Sequence, residues 1–254
     1  MVYRLNYRVV GLAIVFLLCW MGYLPLACRG AVVWSDDFND GNYDGWTICS
    51  PSWGNPPSKW SAADYYLQIE QEAWGTISHP STVAYGTWSF DFKANLTQVT
   101  AGQGLSINFI SNDINNATEV PTSNDWSCYG FKILAAATTQ GNEFFLSLAK
   151  LVGGVFTVLD SSDGYLPIVG WQHIDVSRTT GGLFHVYVNK SLILQATDTD
   201  MTTSELFVVN LADWNMIDNV VVDDAPPIEW PTIVIIVASA VVIVVVLVII
   251  LKRR

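Results

Sequence analysis

Short stretches of alternating apolar and polar residues run through the middle of the chain and predict β-strands. Residues 88–96 alternate over nine positions, which is the period of a strand with one buried face. Shorter stretches of the same kind occur at 67–70, 105–109, 129–133, 174–176, 184–188, 192–194, 207–211 and 218–222. No long helical periodicity occurs between residues 32 and 225. The pattern therefore predicts an all-β domain, an antiparallel β-sandwich or jelly roll, over residues 31–225.

An uncharged apolar segment follows this region. Residues 233–251 carry no charge, and nineteen helical residues span roughly 28 Å, close to the ~30 Å hydrocarbon core of a bilayer. The basic residues at 252–254 follow at once and are predicted to stay in the cytoplasm. We therefore predict a stalk at 226–230, a transmembrane helix at 231–251 and a cytoplasmic tail at 252–254. A buried core helix is the alternative, but such helices are rarely apolar on every side over this length.

The first 30 residues have the pattern of a secretory signal peptide. Arg4 and Arg8 precede an apolar run at 9–21, and small residues follow around Gly30, after which cleavage is predicted. A lipoprotein signal ending at Cys28 and an uncleaved signal anchor are the alternatives. All three place the middle of the chain outside the cell, as the extracellular domain of a type I protein of the plasma membrane.

Charge is distributed unevenly along the 254 residues. Hydrophobic residues make up 51% and charged residues 14%, with a formal net charge of −11. The span from the first acid to the last holds all 23 acidic and only six basic side chains, hence a formal charge of −17. This acidity argues against a nucleic-acid partner, since phosphate binding needs a basic surface. An aromatic content of 13% argues against disorder.

Two cysteines and three glycosylation motifs agree with export. Cys49 and Cys128 remain in the mature domain and predict one disulfide, with two free buried thiols as the alternative. Asn-x-Ser/Thr motifs begin at Asn95, Asn116 and Asn189 and predict surface positions for N-glycans.

Three segments carry a family resemblance. Residues 171–190, with Trp171 at the start of one strand, Arg178 at its end and a Thr-Thr-Gly-Gly turn, resemble the hairpin of laminin-G-like domains. Residues 36–46 and 216–222 resemble the opening and closing strands of concanavalin A-like lectin/glucanase domains. The resemblance implies a jelly-roll sandwich. Lys190 departs from it, because the family usually has glycine there.

Catalytic motifs of that superfamily are absent. Its glucanases use Glu-x-Asp-x-x-Glu on one strand, and no glutamate of this chain begins that pattern. Glu70 and Glu72 are the nearest pair of carboxylates, and a solvated strand face explains them equally well. His173 and His185 lie on the predicted hairpin and are expected to point to solvent or to the sheet surface. The sequence therefore favours a protein that is not an enzyme.

A structural calcium ion is implied at the closing strand. Asp218 shares its phase with apolar Met216, Val220 and Val222, and a buried carboxylate needs a partner. In the resembling family an acid at this point commonly holds calcium, a cation that oxygen ligands satisfy. The carry-over predicts Ca²⁺ at Asp218 with Asp36 or Asp37. Backbone N–H groups bound to Asp218, or a place at the solvent edge, are the alternatives.

Tryptophans supply the candidate ligand site. Four occupy strand positions and are predicted to lie in the core: Trp34, Trp46, Trp88 and Trp171. Trp53 and Trp126 lie in loops close in sequence to Cys49 and Cys128. A disulfide between these cysteines would bring the two loops together. The predicted binding patch is then Trp53, Asn55, Asn124, Asp125 and Trp126.

Three classes of function remain compatible with the sequence. The favoured one is a single-pass cell-surface protein whose lectin-like domain binds a glycan or glycoprotein. The second is a membrane-tethered glycoside hydrolase of the same fold. The third is a structural protein of the cell envelope without a small ligand. All three remain because fold alone does not decide function.

Overall fold

The chain folds into two antiparallel β-sheets. The structure, a computed structural model, describes residues 31–49, 59–70, 74–95, 104–112, 127–135, 143–162, 166–167, 169–212 and 214–224. These residues form sixteen strands and no helix. The strand predictions at 67–70, 105–109, 129–133 and 207–211 are confirmed, as is the all-β antiparallel sandwich. The described strands belong to a compact unit that spans Ala31–Pro226.

The predicted signal peptide, stalk and transmembrane helix lie outside the described residues. Within the described ranges, no helix is long and apolar enough to span a bilayer. The anchor at 231–251 and the cytoplasmic tail stay predictions from the sequence.

The first sheet contains eight strands. One of them, β1 (Val32–Asp36), pairs only with β16 (Met216–Asp223) and is not part of the consecutive order of the other seven. The remaining strands follow in spatial order: β14 (Ser191–Thr197), β13 (Leu183–Val188), β12 (Trp171–Arg178), β6 (Gly86–Lys93), β16 (Met216–Asp223), β4 (Leu67–Ile69) and β3 (Trp60–Ser61), with β1 spanning Val32–Asp36.

The second sheet also contains eight strands. Here β11 (Leu166–Pro167) pairs only with β9 (Glu143–Val152) and is not part of the consecutive order of the other seven. The spatial order is β10 (Val155–Ser161), β9 (Glu143–Val152), β8 (Ser127–Ala135), β7 (Gly104–Asn112), β15 (Leu206–Ala212), β5 (Trp74–Pro80) and β2 (Thr47–Cys49), with β11 spanning Leu166–Pro167.

The alternation in β6 explains how the two sheets pack. Trp88, Phe90 and Phe92 are fully buried in the core between the sheets, whereas Ser89 and Asp91 between them point to the other side. Each buried aromatic side chain contributes about 1.5–3 kcal/mol by removal from water. The period-two pattern thus sets the register, because a slip by one residue would bury the polar set instead.

Arg178 closes the hairpin of β12 and β13 from within the core. Its side chain is fully buried, and its guanidinium lies 4.7 to 4.9 Å from the ring centroids of Tyr85, Tyr129 and Phe184. The Tyr129 hydroxyl donates to Asp198, and burial together with that carboxylate raises the pKa of Tyr129 to about 12. Arg178, which the sequence marks only as the end of a strand, is therefore a buried side chain around which three aromatic rings pack.

The turn between β13 and β14 holds two residues in the left-handed region. Asn189 has φ +50° and Lys190 has φ +70°, the combination typical of a type I′ hairpin turn. Lysine is strained there, because its Cβ crowds the backbone. We expect Lys190→Gly to raise the free energy of unfolding by about 1 kcal/mol. Urea unfolding of the full chain measures this gain. Lys190→Ala keeps the strained Cβ and serves as the control, because its free energy of unfolding should not rise.

His79 lies in an aromatic cluster between the sheets. Its ring stacks on Trp34 at 4.1 Å, contacts Trp46 at 5.4 Å, and its Nδ1–H donates to the Pro80 carbonyl at 2.8 Å. Burial lowers the pKa of His79, so the folded state resists protonation. Above the ordinary histidine pKa of about 6.5, the neutral ring therefore makes its full contribution to the stability of the fold. This contribution is lost as the pH falls through the lower pKa that His79 has in the folded state.

Acidification is expected to destabilise the wild type through this residue. Between about pH 7.5 and pH 5, the free energy of unfolding should fall more steeply in the wild type than in His79→Gln. Urea unfolding across that range measures both slopes. Identical slopes would contradict the assignment to His79.

Candidate functional site

The outward side of the first sheet carries a cluster of polar and aromatic side chains. Alternation in β12 buries Ile174 and Val176 and turns Trp171, His173 and Asp175 outward. Adjacent strands place their own outward residues beside them. We call this surface the Trp171 face; it consists of Ser89, Asp91, Lys93, Trp171, His173, Asp175, Asp218 and Asn219.

His173 links two carboxylates at the centre of the Trp171 face. Its register partner on β6 is Asp91, and its Nδ1 lies 2.7 Å from Asp91 Oδ1. Its Nε2 lies 3.4 Å from Asp175 Oδ1 on its own strand. Ser89 donates from Oγ to the same Asp175 oxygen at 2.5 Å. The prediction that His173 points to solvent or to the sheet surface is confirmed, and its ring lies between the two acids.

A β-bulge brings Asn219 and Asp218 into this network. Asn219 has φ +50°, and the pairing of β16 with β6 shifts register between Asp218 and Val221. The side-chain Nδ2 of Asn219 donates to Asp91 Oδ2 at 2.8 Å and to Asp218 Oδ2 at 3.3 Å. Bulges re-aim side chains in this way and are over-represented beside functional sites.

The same bulge corrects the predicted phase of Asp218. Val220 and Val222 are buried in the core, but Asp218 lies on the opposite, outward side, because the extra residue interrupts the alternation. Partial burial raises the pKa of Asp218, and the charges of Asp91, Asp37 and Asp36 raise it further, although the Asn219 N–H donates to it at 2.7 Å. Asp218 thus accepts a backbone hydrogen bond, as one of the alternatives proposed.

The predicted calcium ligands are brought near one another. Both Asp36 oxygens already accept hydrogen bonds, from Phe38 N at 2.9 Å and from Trp46 Nε1 at 2.7 Å. Among the described residues, no three His, Cys, Asp or Glu side chains are placed to hold a metal ion together. Calcium at Asp218 with Asp36 or Asp37 stays a prediction for a binding experiment.

Trp171 is the exposed aromatic side chain of the face. It is 40% exposed, so the prediction that it lies in the core is wrong. Tyr66 packs edge-on against its ring at 5.8 Å, and the Lys93 ammonium lies 5.7 Å from its centroid. The sequence held a signal for this position, because Trp171 shares the polar phase of His173 and Asp175.

The predicted disulfide is absent from the structure. Cys49 on β2 and Cys128 on β8 are both buried free thiols. Three strands separate β2 from β8 within one sheet, which places them about 19 Å apart at a strand spacing of about 4.8 Å. A disulfide needs Cα atoms within about 7 Å. Burial instead raises the pKa of both thiols, that of Cys128 to about 12.

The loop patch predicted from that disulfide loses its support. Its members Trp53, Asn55, Asn124, Asp125 and Trp126 lie outside the described residues, so their positions stay untested. The reason given for their proximity is gone, because the cysteines do not bridge the loops.

The other predicted positions are divided between described and undescribed parts of the chain. Among the predicted glycosylation sites, Asn116 lies outside the described residues and Asn95 lies just after β6. Asn189 occupies the hairpin turn, where its side chain bonds to Gln172 and to the His173 N–H. The Glu70 carboxylate pairs with Lys59, while Glu72 lies outside the described residues.

Several solved structures have folds similar to that of this chain. A Bacillus subtilis protein of unknown function with a galectin-like fold is similar over 79% of this chain and 99% of its own, with a TM-score of 0.58 and 15% identity. The T. cruzi calreticulin globular domain is similar over 83% of this chain and 93% of its own, with a TM-score of 0.54 and 8% identity. The potassium-bound carbohydrate recognition domain of Emp46p is similar over 72% and 90%, with a TM-score of 0.53 and 12% identity.

These likenesses define the class of the fold. No protein-family model and no curated protein sequence matches the chain. At such low identities the similarity concerns the fold alone. The chain has a two-sheet antiparallel β-sandwich with a galectin-like fold, consistent with the sandwich that the resemblance in its sequence implied.

Proposed function

We propose that this chain is a single-pass cell-surface lectin that binds glycans through the Trp171 face. The observation that carries the proposal is an exposed Trp171 beside a preformed row of hydrogen-bonding groups on one open sheet surface. An aromatic ring offers a flat apolar surface for the C–H face of a pyranose. The adjacent carboxylates, imidazole and amide offer partners for its hydroxyls, and a few placed polar groups beside an apolar surface typify ligand sites.

Preorganisation supports this surface as a binding site. His173 and Asn219 hold Asp91 from both oxygens, and Ser89 holds Asp175. A ligand that replaces no internal hydrogen bond and orders no flexible side chain loses less free energy on binding. The fold adds support, because the Emp46p domain with a similar fold is named a carbohydrate recognition domain.

The cell-surface part of the proposal comes from the sequence. The predicted signal peptide at 1–30 and the predicted transmembrane helix at 231–251 would put the acidic domain outside the cell and the C-terminus in the cytoplasm. A lectin so placed would recognise glycans or glycoproteins at the plasma membrane.

A glycan array probed with the purified full chain in detergent tests the proposal. Binding to a defined set of oligosaccharides is the expected result. Repeating the array with calcium and with a chelator tests the predicted ion at the same time, since a calcium-dependent site would lose binding in chelator. A chain that binds no glycan under either condition is not a lectin.

A further inference from the structure

The outward side of the second sheet carries a different surface, a polar row that crosses five strands. Register pairs connect Thr76 with Asn210, Asn210 with Ser106, Ser106 with Lys132, and Lys132 with Ser147. Each of these residues alternates with core residues of its strand, so all five lie on the outward side of the sheet, where Ser147 is buried and the other four are half-buried. We call them the Lys132 row: Thr76, Asn210, Ser106, Lys132 and Ser147.

Lys132 is the charged member of the row. Phe131 and Ile133 on either side of it are fully buried, and Lys132 itself is partly buried. Its ammonium lies 4.8 Å from the centroid of Phe156. Within the described residues, no carboxylate forms an ion pair with it, whereas Lys59 and Lys150 each pair with acids.

This position is unusual in an acidic domain. Burial lowers the pKa of Lys132, because a partly desolvated ammonium lacks a compensating charge. Among the residues that the structure describes, the one other titratable group that bears on it is the Cys128 thiol, which is neutral because its own pKa is raised to about 12. Desolvated ammonium groups are ordinarily paired, and a bound anion would supply the missing partner.

Residues with hydroxyl groups lie beside Lys132 on both neighbouring strands. Ser106 and Ser147 stand directly opposite Lys132, at the separation of about 4.5–5.5 Å usual for cross-strand pairs. One hydroxyl donor on each side of the lysine, together with its ammonium, matches the several oxygens of a carboxylate or sulfate group. Hydrogen bonds between charged partners are also about twice as strong as neutral ones.

Existing contacts fix the other end of the row. Thr76 Oγ1 donates to Asn210 Oδ1 at 2.6 Å, and Asn210 Nδ2 donates to the Ser106 carbonyl at 3.3 Å. These bonds occupy Thr76 and Asn210 and leave the Ser106 side chain free to face Lys132. The anion-binding part of the row is therefore the trio of Ser106, Lys132 and Ser147.

We propose that Ser106, Lys132 and Ser147 form an oxyanion-binding subsite on the second sheet, suited to the carboxylate or sulfate group of an acidic sugar. The subsite is separate from the Trp171 face, which lies on the other sheet. The net acidity of the domain does not exclude it, because charges beyond about 8 Å are screened at physiological ionic strength. The subsite would bind an anion, whereas the carboxylates of the Trp171 face would attract a cation.

The subsite is tested with three related sugars at constant ionic strength. The full chain, labelled with ¹⁵N-serine, is titrated with glucose, with glucuronate and with glucose 6-sulfate while the Ser106 and Ser147 amide signals are followed. Saturable shifts are expected with an anion and not with glucose. The two anions distinguish a carboxylate from a sulfate ester as the preferred group.

Variants assign the effect to the ammonium. Lys132→Gln should weaken anion binding by about tenfold or more, Lys132→Arg should retain it, and Lys59→Gln should leave it unchanged. In the wild type, saturation with the anion should also raise the pKa of Lys132 in a ¹³C-lysine titration. Equal shifts with glucose, equal affinity in Lys132→Gln, or no shift with either anion would each overturn the subsite. These results leave the glycan array result for the Trp171 face unaffected.

Discussion

Arg178→Met is expected to lower the free energy of unfolding by about 3–5 kcal/mol, a large share of the stability of a domain this size. The fully buried guanidinium donates to three backbone carbonyls, those of Ala84 at 3.1 Å, Met201 at 2.7 Å and Asp198 at 3.0 Å. Methionine fills much of the volume but leaves all three carbonyls without a donor, and each unmatched buried group costs about 1–3 kcal/mol. Urea unfolding of the full chain measures the loss.

Arg178→Lys separates geometry from charge in this experiment. Lysine keeps the positive charge among the three aromatic rings, but one ammonium cannot donate in the directions of a planar guanidinium fork. We therefore expect Arg178→Lys to recover only a small part of the lost stability. A loss below about 1 kcal/mol for Arg178→Met would show that these carbonyls find other partners.

Trp171→Ala is expected to weaken glycan binding by about thirtyfold, or about 2 kcal/mol, while the free energy of unfolding changes little. Half-exposed tryptophans at binding surfaces contribute much more to affinity than to folding, because the bound ligand completes their burial. The oligosaccharide with the strongest array signal serves as the probe, and its affinity for wild type and variant is measured by calorimetry.

Leu192→Ala is the matched control for that experiment. Leu192 is 47% exposed on β14, a strand of the same sheet, but outside the Trp171 face. The Leu192→Ala variant should bind the probe as tightly as the wild type. Equal losses in both variants would indicate a general effect on the sheet, and an unchanged affinity in Trp171→Ala would place the glycan elsewhere.

Local sequence patterns correctly predicted the strands because a half-buried strand needs a strict period of two. The hairpin of β12 and β13, its Thr-Thr-Gly-Gly turn and the Asn189-Lys190 turn all follow from residues adjacent in sequence. The predicted orientation of Asp218 was wrong for an equally local reason. A single residue at φ +50°, Asn219, inserted a bulge that no alternation pattern reveals.

The site depended on contacts between strands distant in sequence. Asp91 and His173 are 82 positions apart, and Asp91 and Asn219 are 128 apart, yet they share one hydrogen-bonded network. The predicted disulfide failed for the converse reason. Cys49 and Cys128 form a plausible pair by count, but the strand order β8-β7-β15-β5-β2 keeps them in different parts of one sheet.

The sequence by itself determined the class of fold, the acidic character of the domain and the expectation of a membrane anchor, since composition, period and turn chemistry are local properties of the chain. Only the tertiary structure decided which face gathers chemistry. The order of strands in each sheet brings Trp171, His173 and Asp91 together on one sheet and sets Lys132 between two serines on the other. Strand order depends on which long-range pairings bury the most apolar surface, and that choice is not written in any single segment.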